Sequence, residues 1–594
     1  MLLRYRMRLI NIRRTMSVGL FAAFWLITGC TRPGTHNDSN STASEQPTPG
    51  DWIIVRYEVE PDTLNPLLLT GITSSYVLHG ANNSQIYEFL LGYDTRDWTI
   101  SKPLLAESPP QVSEDHSMYV FTIRDGVKWH DGKPLTTDDV LFSFKAAMCP
   151  LVDSAAIRSY LTDLDNVEQL EGRKIRFTVS KPNWQTVSTL ANTLAILPKH
   201  VFDPKGLLDG FTFKEIIGAK GKTDPKIKEF AEAFNRHPNN RIPVGSGPYK
   251  FERWDAGREI VLARNDEYWG PKAYLDKIVI RIIPDYTTAL TALKAGEIDL
   301  NPRLLPIQHA QQTGDAAFDQ HFVKTVYATP GYNYIGWNTQ RVFFKDRRVR
   351  QALTMLVNRQ QILDTVRFGL GKIGVSSFVP NSPDFNPNIR PLPYDPKKAQ
   401  ELLDEAGWKD SNHDGIRDKD GTAFRFEFLL PSGSTSSAGL AAIVKEDFRK
   451  AGIDMTMRTL EPAVFFENLR EHKFDAAVAG WSADLIQDPY QVWHSSSAAN
   501  GGSNFVSFAN AEADRIMEQA RLEFDSGKRK QLYWRLQEIL HEEQPYTFLW
   551  YPEEVAAYHK RFQNAKWIPL RPGYDLNEWF VPRESQKFGR ASKN

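Results

Sequence analysis

Residues 245–300 read GSGPYKFERWDAGREIVLARNDEYWGPKAYLDKIVIRIIPDYTTALTALKAGEIDL, and this run does most to limit what the chain can become. Its segment 278–283 is β-branched along nearly its whole length, as expected of a strand covered on both faces. Asp285 then opens a helix on which Ala289, Leu290 and Leu293 share a face, Gly296 stops it, and residues 297–300 form another strand. Helix, glycine and strand in such quick succession specify an α/β fold. The alternation recurs along the chain. Residues 52–57 read as a strand, and 119–123 alternate polar and apolar into a turn at Arg124-Asp125-Gly126. Thr136 or Thr137 can cap the next helix, with Asp138 and Asp139 in its first turn, where carboxylates favour the positive helix end. Adjacent residues on a helix point apart, so this pair is structural and not an acid/base couple. Asp395-Pro396 begins a further helix with Ala399, Leu402, Leu403 and Ala406 inward and Gly407 as its stop.

The N-terminus carries an address. Arg4, Arg6, Arg8, Arg13 and Arg14 precede an apolar run over 18–27, which meets Thr28, Gly29 and Cys30. About 10 apolar residues are half of the roughly 20 that a helix needs to cross a bilayer core. Residues 1–29 are therefore expected to be a secretory signal. Ile27-Thr28-Gly29-Cys30 resembles a bacterial lipobox, in which small residues admit a peptidase and the Cys30 thiol carries the lipid. Residues 30–50, rich in Thr, Ser, Asn, Pro and Gly, then make a lipidated flexible tether spanning roughly 25 Å root-mean-square. Cys30 and Cys149 are the two cysteines, so acylation of Cys30 leaves no intrachain disulfide and makes Cys149 a small buried hydrophobe.

The formal net charge is zero, and loss of the five signal arginines leaves −5. A mildly acidic chain without a basic stripe disfavours nucleic acid as a partner. With 41% hydrophobic and 12% aromatic residues, the body is large enough to require two or more lobes.

Four stretches together carry a family likeness: LLAES with YVFTIRDGVKWHDGKPLTTDDVLFSFK within 104–145, the run 245–300, FFKDRRVRQALTMLVNRQQIL at 343–363, and FDAAVAGWSADLIQDPYQVW at 474–493. In this order they resemble the extracellular solute-binding proteins of the peptide/nickel class, family 5, which serve ABC importers. The likeness spans residues 51–583. It implies a two-lobed, periplasmic-binding-protein-like (type II) α/β fold whose hinge is crossed twice. Lobe one is expected over 51–300 and 553–583, with an extra subdomain at about 91–240; lobe two over 301–552; and a C-terminal tail over 584–594. The first crossing is expected soon after 296–300 and the return near Tyr551-Pro552.

The resemblance also implies a function: a lipoprotein on the periplasmic or extracytoplasmic face of a bacterial membrane, monomeric and non-catalytic, that captures peptides and delivers them to a permease. In peptide-binding relatives an aspartate in a Gly-Trp-x-x-Asp segment meets the ligand α-ammonium. Here that segment is Gly480-Trp481-Ser482-Ala483-Asp484, making Asp484 the principal candidate, Trp481 a wall beside it and Asp488 the next carboxylate. Residues 331–338 are similar to a family strand, with Tyr332 and Tyr334 on one face as candidates to hold a peptide backbone. Arg348 and Arg350 are expected in structural ion pairs. Dipeptide receptors place a basic residue after the strand at 424–430, whereas this chain has Pro-Ser-Gly-Ser-Thr-Ser-Ser over 431–437, which favours longer peptides. A receptor for a chelated metal or an oligosaccharide, a ligand-presenting sensor and, last, a secreted peptidase are the alternatives.

Two further patterns have plain structural explanations. Asp410, Asn412, Asp414 and Asp418, with Gly415, follow the spacing of a calcium loop, but Gly421 stands where the bidentate Glu belongs. An Asx-rich turn is the preferred reading over a weak structural calcium site. Gly369-x-Gly371-x-x-Gly374 follows a helix and opens none, so it lacks dinucleotide geometry. No cofactor is expected, and no Gly-x-Ser-x-Gly elbow is present.

Overall fold

Strand Trp52–Tyr57 pairs in parallel with Lys277–Ile282, setting Ile53 beside Ile278 and Val55 beside Ile280, so the β-branched run lies inside a sheet. The computed structural model describes residues 47–81, 84–499 and 502–588; Cys30, the signal segment and most of the tether lie outside them. The strand pair is the middle of a seven-stranded sheet ordered Phe322–Ala328, Glu553–His559, Leu300–Leu304, Trp52–Tyr57, Lys277–Ile282, Glu259–Arg264, Tyr249–Asp255. Helix Tyr286–Lys294 packs Ala289, Leu290 and Leu293 inward, with the Thr288 N–H donating to its cap Asp285 at 2.7 Å and Gly296 past its end at φ 72°.

A second sheet of six strands runs Lys372–Ile373, Tyr546–Tyr551, Gly331–Trp337, Ala476–Ser482, Arg425–Pro431, Asp454–Leu460. Its last two strands are parallel and are joined by helix Thr435–Lys450. A third sheet, of four antiparallel strands between 111 and 179, packs with helix Thr137–Met148. Thr136 caps that helix in a reciprocal box: Asp138 N–H donates to Thr136 Oγ1 at 3.2 Å, and Thr136 N–H donates to Asp139 Oδ2 at 2.9 Å. Cys149 is fully buried.

The first passage between the large sheets corrects the expected boundary. Leu300–Leu304 and Phe322–Ala328 both belong to the first sheet, so the chain reaches the second only at Gly331, through Thr329 and Pro330. Seven register pairs between Phe322–Ala328 and Glu553–His559 hold the chain on the first sheet; the glycine and strand at 296–300 mark an element boundary, not a change of sheet. The return falls at Pro552, between Tyr551 and Glu553. Thr329 N–H donates to the Pro552 carbonyl at 3.2 Å, so the two passages lie side by side.

The run 245–300 also closes a buried clamp. Glu88 is fully buried and accepts from Ser246 Oγ (2.9 Å), Tyr268 OH (2.8 Å), Trp269 Nε1 (3.0 Å) and Ser84 Oγ (3.0 Å). Burial pushes its carboxyl pKa up, and these neutral donors work against the shift. Gly245 and Gly247 permit the approach, since a Cβ there would stand 1.8 Å from the Ile86 carbonyl and 2.4 Å from that of Gln85.

The C-terminal segment is tied to the first strand by charge. The Arg561 guanidinium, 3% exposed, pairs with Asp51 and, at 2.7 Å, with Asp299. Backbone N–H groups of Trp52, Lys587 and Phe588 fill the remaining positions on Asp51, and that of Ile54 donates to Asp299 at 3.0 Å.

Candidate functional site

A cavity of about 710 Å³ opens where the two passages meet, and both large sheets contribute to its walls. On the second-sheet side, Tyr332 and Trp481 stand directly opposite each other in the antiparallel pair Gly331–Trp337 and Ala476–Ser482, and both line the cavity. Trp481 is half-buried and held by Phe505, at 5.4 Å between centroids and 21° between planes. Pro431, Ser434, Ser436 and Ser437 continue this wall with small polar groups, Ser434 Oγ accepting from Ser437 N–H at 3.2 Å to cap the helix behind.

The opposite wall carries charge that the sequence reading missed. Arg56, Arg303 and Arg571 line it together with Glu58 and Glu554, and Arg367, at the end of helix Arg359–Val366 on the second-sheet side, reaches across to Glu554. Arg56 is buried, reaching Glu58 at 3.1 Å and donating to the carbonyls of Ile283 and Pro284 at 2.9 and 3.1 Å. Arg367 lies 3.6 Å from Glu554 and donates to the Glu553 carbonyl at 2.9 Å. Burial lowers the pKa of both, their glutamates opposing it. Arg303 is exposed to the cavity, 3.4 Å from Glu554 and 3.9 Å from Glu58. Arg571 donates to the Pro330 carbonyl at 3.2 Å and has no ion pair with any described carboxylate. These arginines come from segments scattered over the whole chain, so no local motif announces them.

Asp484 lies two residues past strand Ala476–Ser482 and is not itself part of the wall, whose edge on this strand is Ser482. It is placed at the rim by the chain before it: the Pro330 carbonyl accepts from Ala483 N–H at 3.3 Å as well as from Arg571, setting residues 484 and 571 about the first passage. The Asp484 carboxyl is exposed, yet desolvation by the surrounding protein pushes its pKa up and Arg571 opposes the shift.

Two of the candidates are engaged elsewhere, which corrects the expectation for them. Tyr334 is buried behind the wall, stacked on Tyr546 with centroids 3.7 Å apart, and does not reach the cavity. Asp488 is paired with Arg521 Nε at 2.6 Å and accepts from Tyr490 N–H at 3.0 Å, so its charge is already matched. Arg348 and Arg350 pair with Asp346 and Glu543 at 2.6 and 2.8 Å. In the 410–421 loop these side chains bind the loop itself: Asp410 Oδ2 accepts from Gly415 N–H (3.0 Å), Asn412 from Asp414 N–H (3.0 Å), Asp414 from Ile416 N–H (2.8 Å) and Asp418 from Ser411 (2.6 and 2.9 Å), while Asp410 Oδ1 is buried without a hydrogen-bond partner. Among the described residues no group of three or more His, Cys, Asp or Glu is placed to hold a metal ion, and no helix is long and apolar enough to cross a membrane.

Two sheets, two adjacent passages and a cavity between them define a two-lobed solute-binding fold of type II. Residues 101–503 match the middle region of the bacterial extracellular solute-binding proteins, family 5, and the chain belongs to that family. It is 31% identical to the oligopeptide-binding protein AppA of Bacillus subtilis (strain 168) over 576 residues, covering 96% of this chain and 98% of that one. The structure of AppA in complex with a nonapeptide superimposes with a TM-score of 0.68 at 30% identity, covering 90% of this chain and 100% of that one. NikZ of Campylobacter jejuni in complex with Ni(L-His) gives a TM-score of 0.69 at 26% identity, over 89% and 99% of the two chains.

Proposed function

We propose that the protein is an exported, lipid-anchored receptor that encloses oligopeptides between its lobes and passes them to the transmembrane subunits of an ABC importer, without catalysis of its own. The observation that carries this reading is the cavity walled from both sheets beside two hydrogen-bonded passages, the arrangement in which rotation about a hinge encloses a ligand. Its volume of about 710 Å³ falls in the range of roughly 300–1,000 Å³ typical of small-molecule sites. The similarity to a receptor whose complex holds a nonapeptide supports the peptide class.

In this reading Asp484 receives the ligand ammonium at the rim, while Trp481 and Tyr332 form the wall beside it. Closure removes water from the carboxylate, and a cation then offsets the cost of that desolvation. The Ni(L-His) complex of a relative supports a second reading, in which the ligand is a metal chelate with its own ligands.

Native mass spectrometry of the purified protein, followed by calorimetric titration with oligopeptides, separates the two. Recovery of a metal chelate and no heat with any peptide sinks the peptide reading. Exchange of Cys30 for Ser is expected to release the protein from membranes into the soluble fraction; continued membrane association refutes the anchor.

A further inference from the structure

We infer that Arg303, Arg571 and the Tyr76 hydroxyl form an anion subsite on the first-sheet wall that takes a carboxylate of the ligand, either the peptide C-terminus or an acidic side chain. The inference rests on the peptide reading and names what that cavity selects.

The charges that line the cavity do not balance. Four arginines line the cavity against two glutamates, and no lysine, histidine or aspartate joins them among the described residues. The glutamates are shared: Glu58 lies 3.1 Å from Arg56 and 3.9 Å from Arg303, and Glu554 lies 3.4 Å from Arg303 and 3.6 Å from Arg367. Arg56 and Arg367 are buried and spend further donors on backbone carbonyls, so neither faces a ligand freely. Arg303 is different, with its side chain 48% exposed and both of its carboxylate partners shared with another arginine. Arg571 spends one donor on the Pro330 carbonyl, and a guanidinium carries five.

Tyr76 completes the group. It lines the same cavity as both arginines, where burial and, less strongly, Glu58 raise the pKa of its hydroxyl while Arg571 and Arg303 lower it. Arg571 is presented on a tight turn in which Gly573 N–H donates to the Leu570 carbonyl at 2.6 Å. A cationic wall is local here, since the chain expected after export is acidic overall. The wall across the cavity, at 431–437, is built of serines and a proline without a cation. A ligand whose ammonium lies at Asp484 therefore finds its countercharge on the first-sheet side. A planar carboxylate meets a guanidinium through two parallel N–H donors, which makes the site selective for carboxylate over amide.

The test uses the full chain without its signal, titrated with one peptide in three forms: a free acid with an internal glutamate, its C-terminal amide, and the free acid with that glutamate replaced by glutamine. One neutralised form is expected to bind the parent about 10- to 100-fold more weakly, the range for hydrogen bonds to charged groups. Loss with the amide assigns the subsite to the C-terminus; loss with glutamine assigns it to an acidic side chain. In Arg571→Gln, and in Arg303→Gln as an independent variant, the difference between forms is expected to shrink to less than about 3-fold, with Arg571→Lys retaining part of it. Equal affinity of the parent for all three forms overturns the subsite, as does an Arg571→Gln variant that weakens all forms alike. If the parent binds no peptide, the peptide reading fails instead. The subsite is then judged with glutarate by tryptophan fluorescence, where binding lost in Arg571→Gln supports it and no binding by the parent overturns it.

Discussion

Arg561 and Arg571 stand ten residues apart on one C-terminal segment and have opposite fates. Arg561 is enclosed, 3% exposed, against two buried aspartates that also accept from backbone N–H groups, Asp299 having the Lys587 ammonium 3.9 Å away as well. Arg571 looks into a cavity with one carbonyl for a partner. A buried charge matched by two carboxylates holds the fold and is out of a ligand's reach, whereas one without an ion pair at a cavity wall is available to bind. Asp484 and Asp488 repeat the contrast, one exposed at the rim and the other locked to Arg521 at 2.6 Å.

Arg561→Met has the largest expected effect. Stranding Asp51 and Asp299 is expected to cost about 3–5 kcal/mol of folding stability, read from the denaturant midpoint, while peptide affinity of the folded fraction stays at the parental value. A change under about 1 kcal/mol erases the distinction between the two arginines. Asp484→Ala is expected to leave stability near parental and to weaken free-amine peptides by about 2–5 kcal/mol, sparing N-acetylated ones. Equal loss for both peptide forms removes its assigned role.

The same carboxylate predicts a pH dependence. Desolvation raises the Asp484 pKa, so in the unliganded protein the shift favours the protonated form: its stability contribution is present at low pH and is lost as pH rises through the raised value. Binding of an ammonium needs the ionised form, and affinity for free-amine peptides is expected to fall as pH drops through that same window, above the usual aspartate range. Calorimetry across pH 4 to 7, about the ordinary carboxylate range and above, compares parent with Asp484→Ala, and a slope unchanged in the variant removes the link. Trp481→Ala is expected to cost about 1–3 kcal/mol of affinity whatever the peptide termini, since it removes wall and not charge. Smallest is Asp418→Ala in the 410–421 loop, expected to shift stability by less than about 1 kcal/mol and affinity not at all. A calcium-dependent rise in melting temperature in the parent, absent from that variant, restores the metal reading.

Much of the frame was legible because its causes are local. A β-branched run, an aspartate cap and a glycine stop gave the pairing strand 277–282, the helix at 286–294 and its end, each set by hydrogen bonds within a few residues. The site was legible in part. Trp481 and Tyr332 fall on the wall, but alternation along a strand did not separate Tyr332 from Tyr334, because Tyr546 on the neighbouring strand stacks over the latter. The passage at 329–330 was misread for a related reason: sheet membership depends on a partner strand more than two hundred residues away at 553–559.

By itself the sequence determined the α/β alternation, the helix caps and stops, the motifs that mark the family and the Gly-Trp-x-x-Asp segment, all written in near neighbours. The tertiary structure decided where the chain changes sheets, which carboxylates are already neutralised and which cations face the cavity. Those outcomes depend on which distant groups are brought within a few ångströms and how much water is left between them, and no spacing along the chain encodes either.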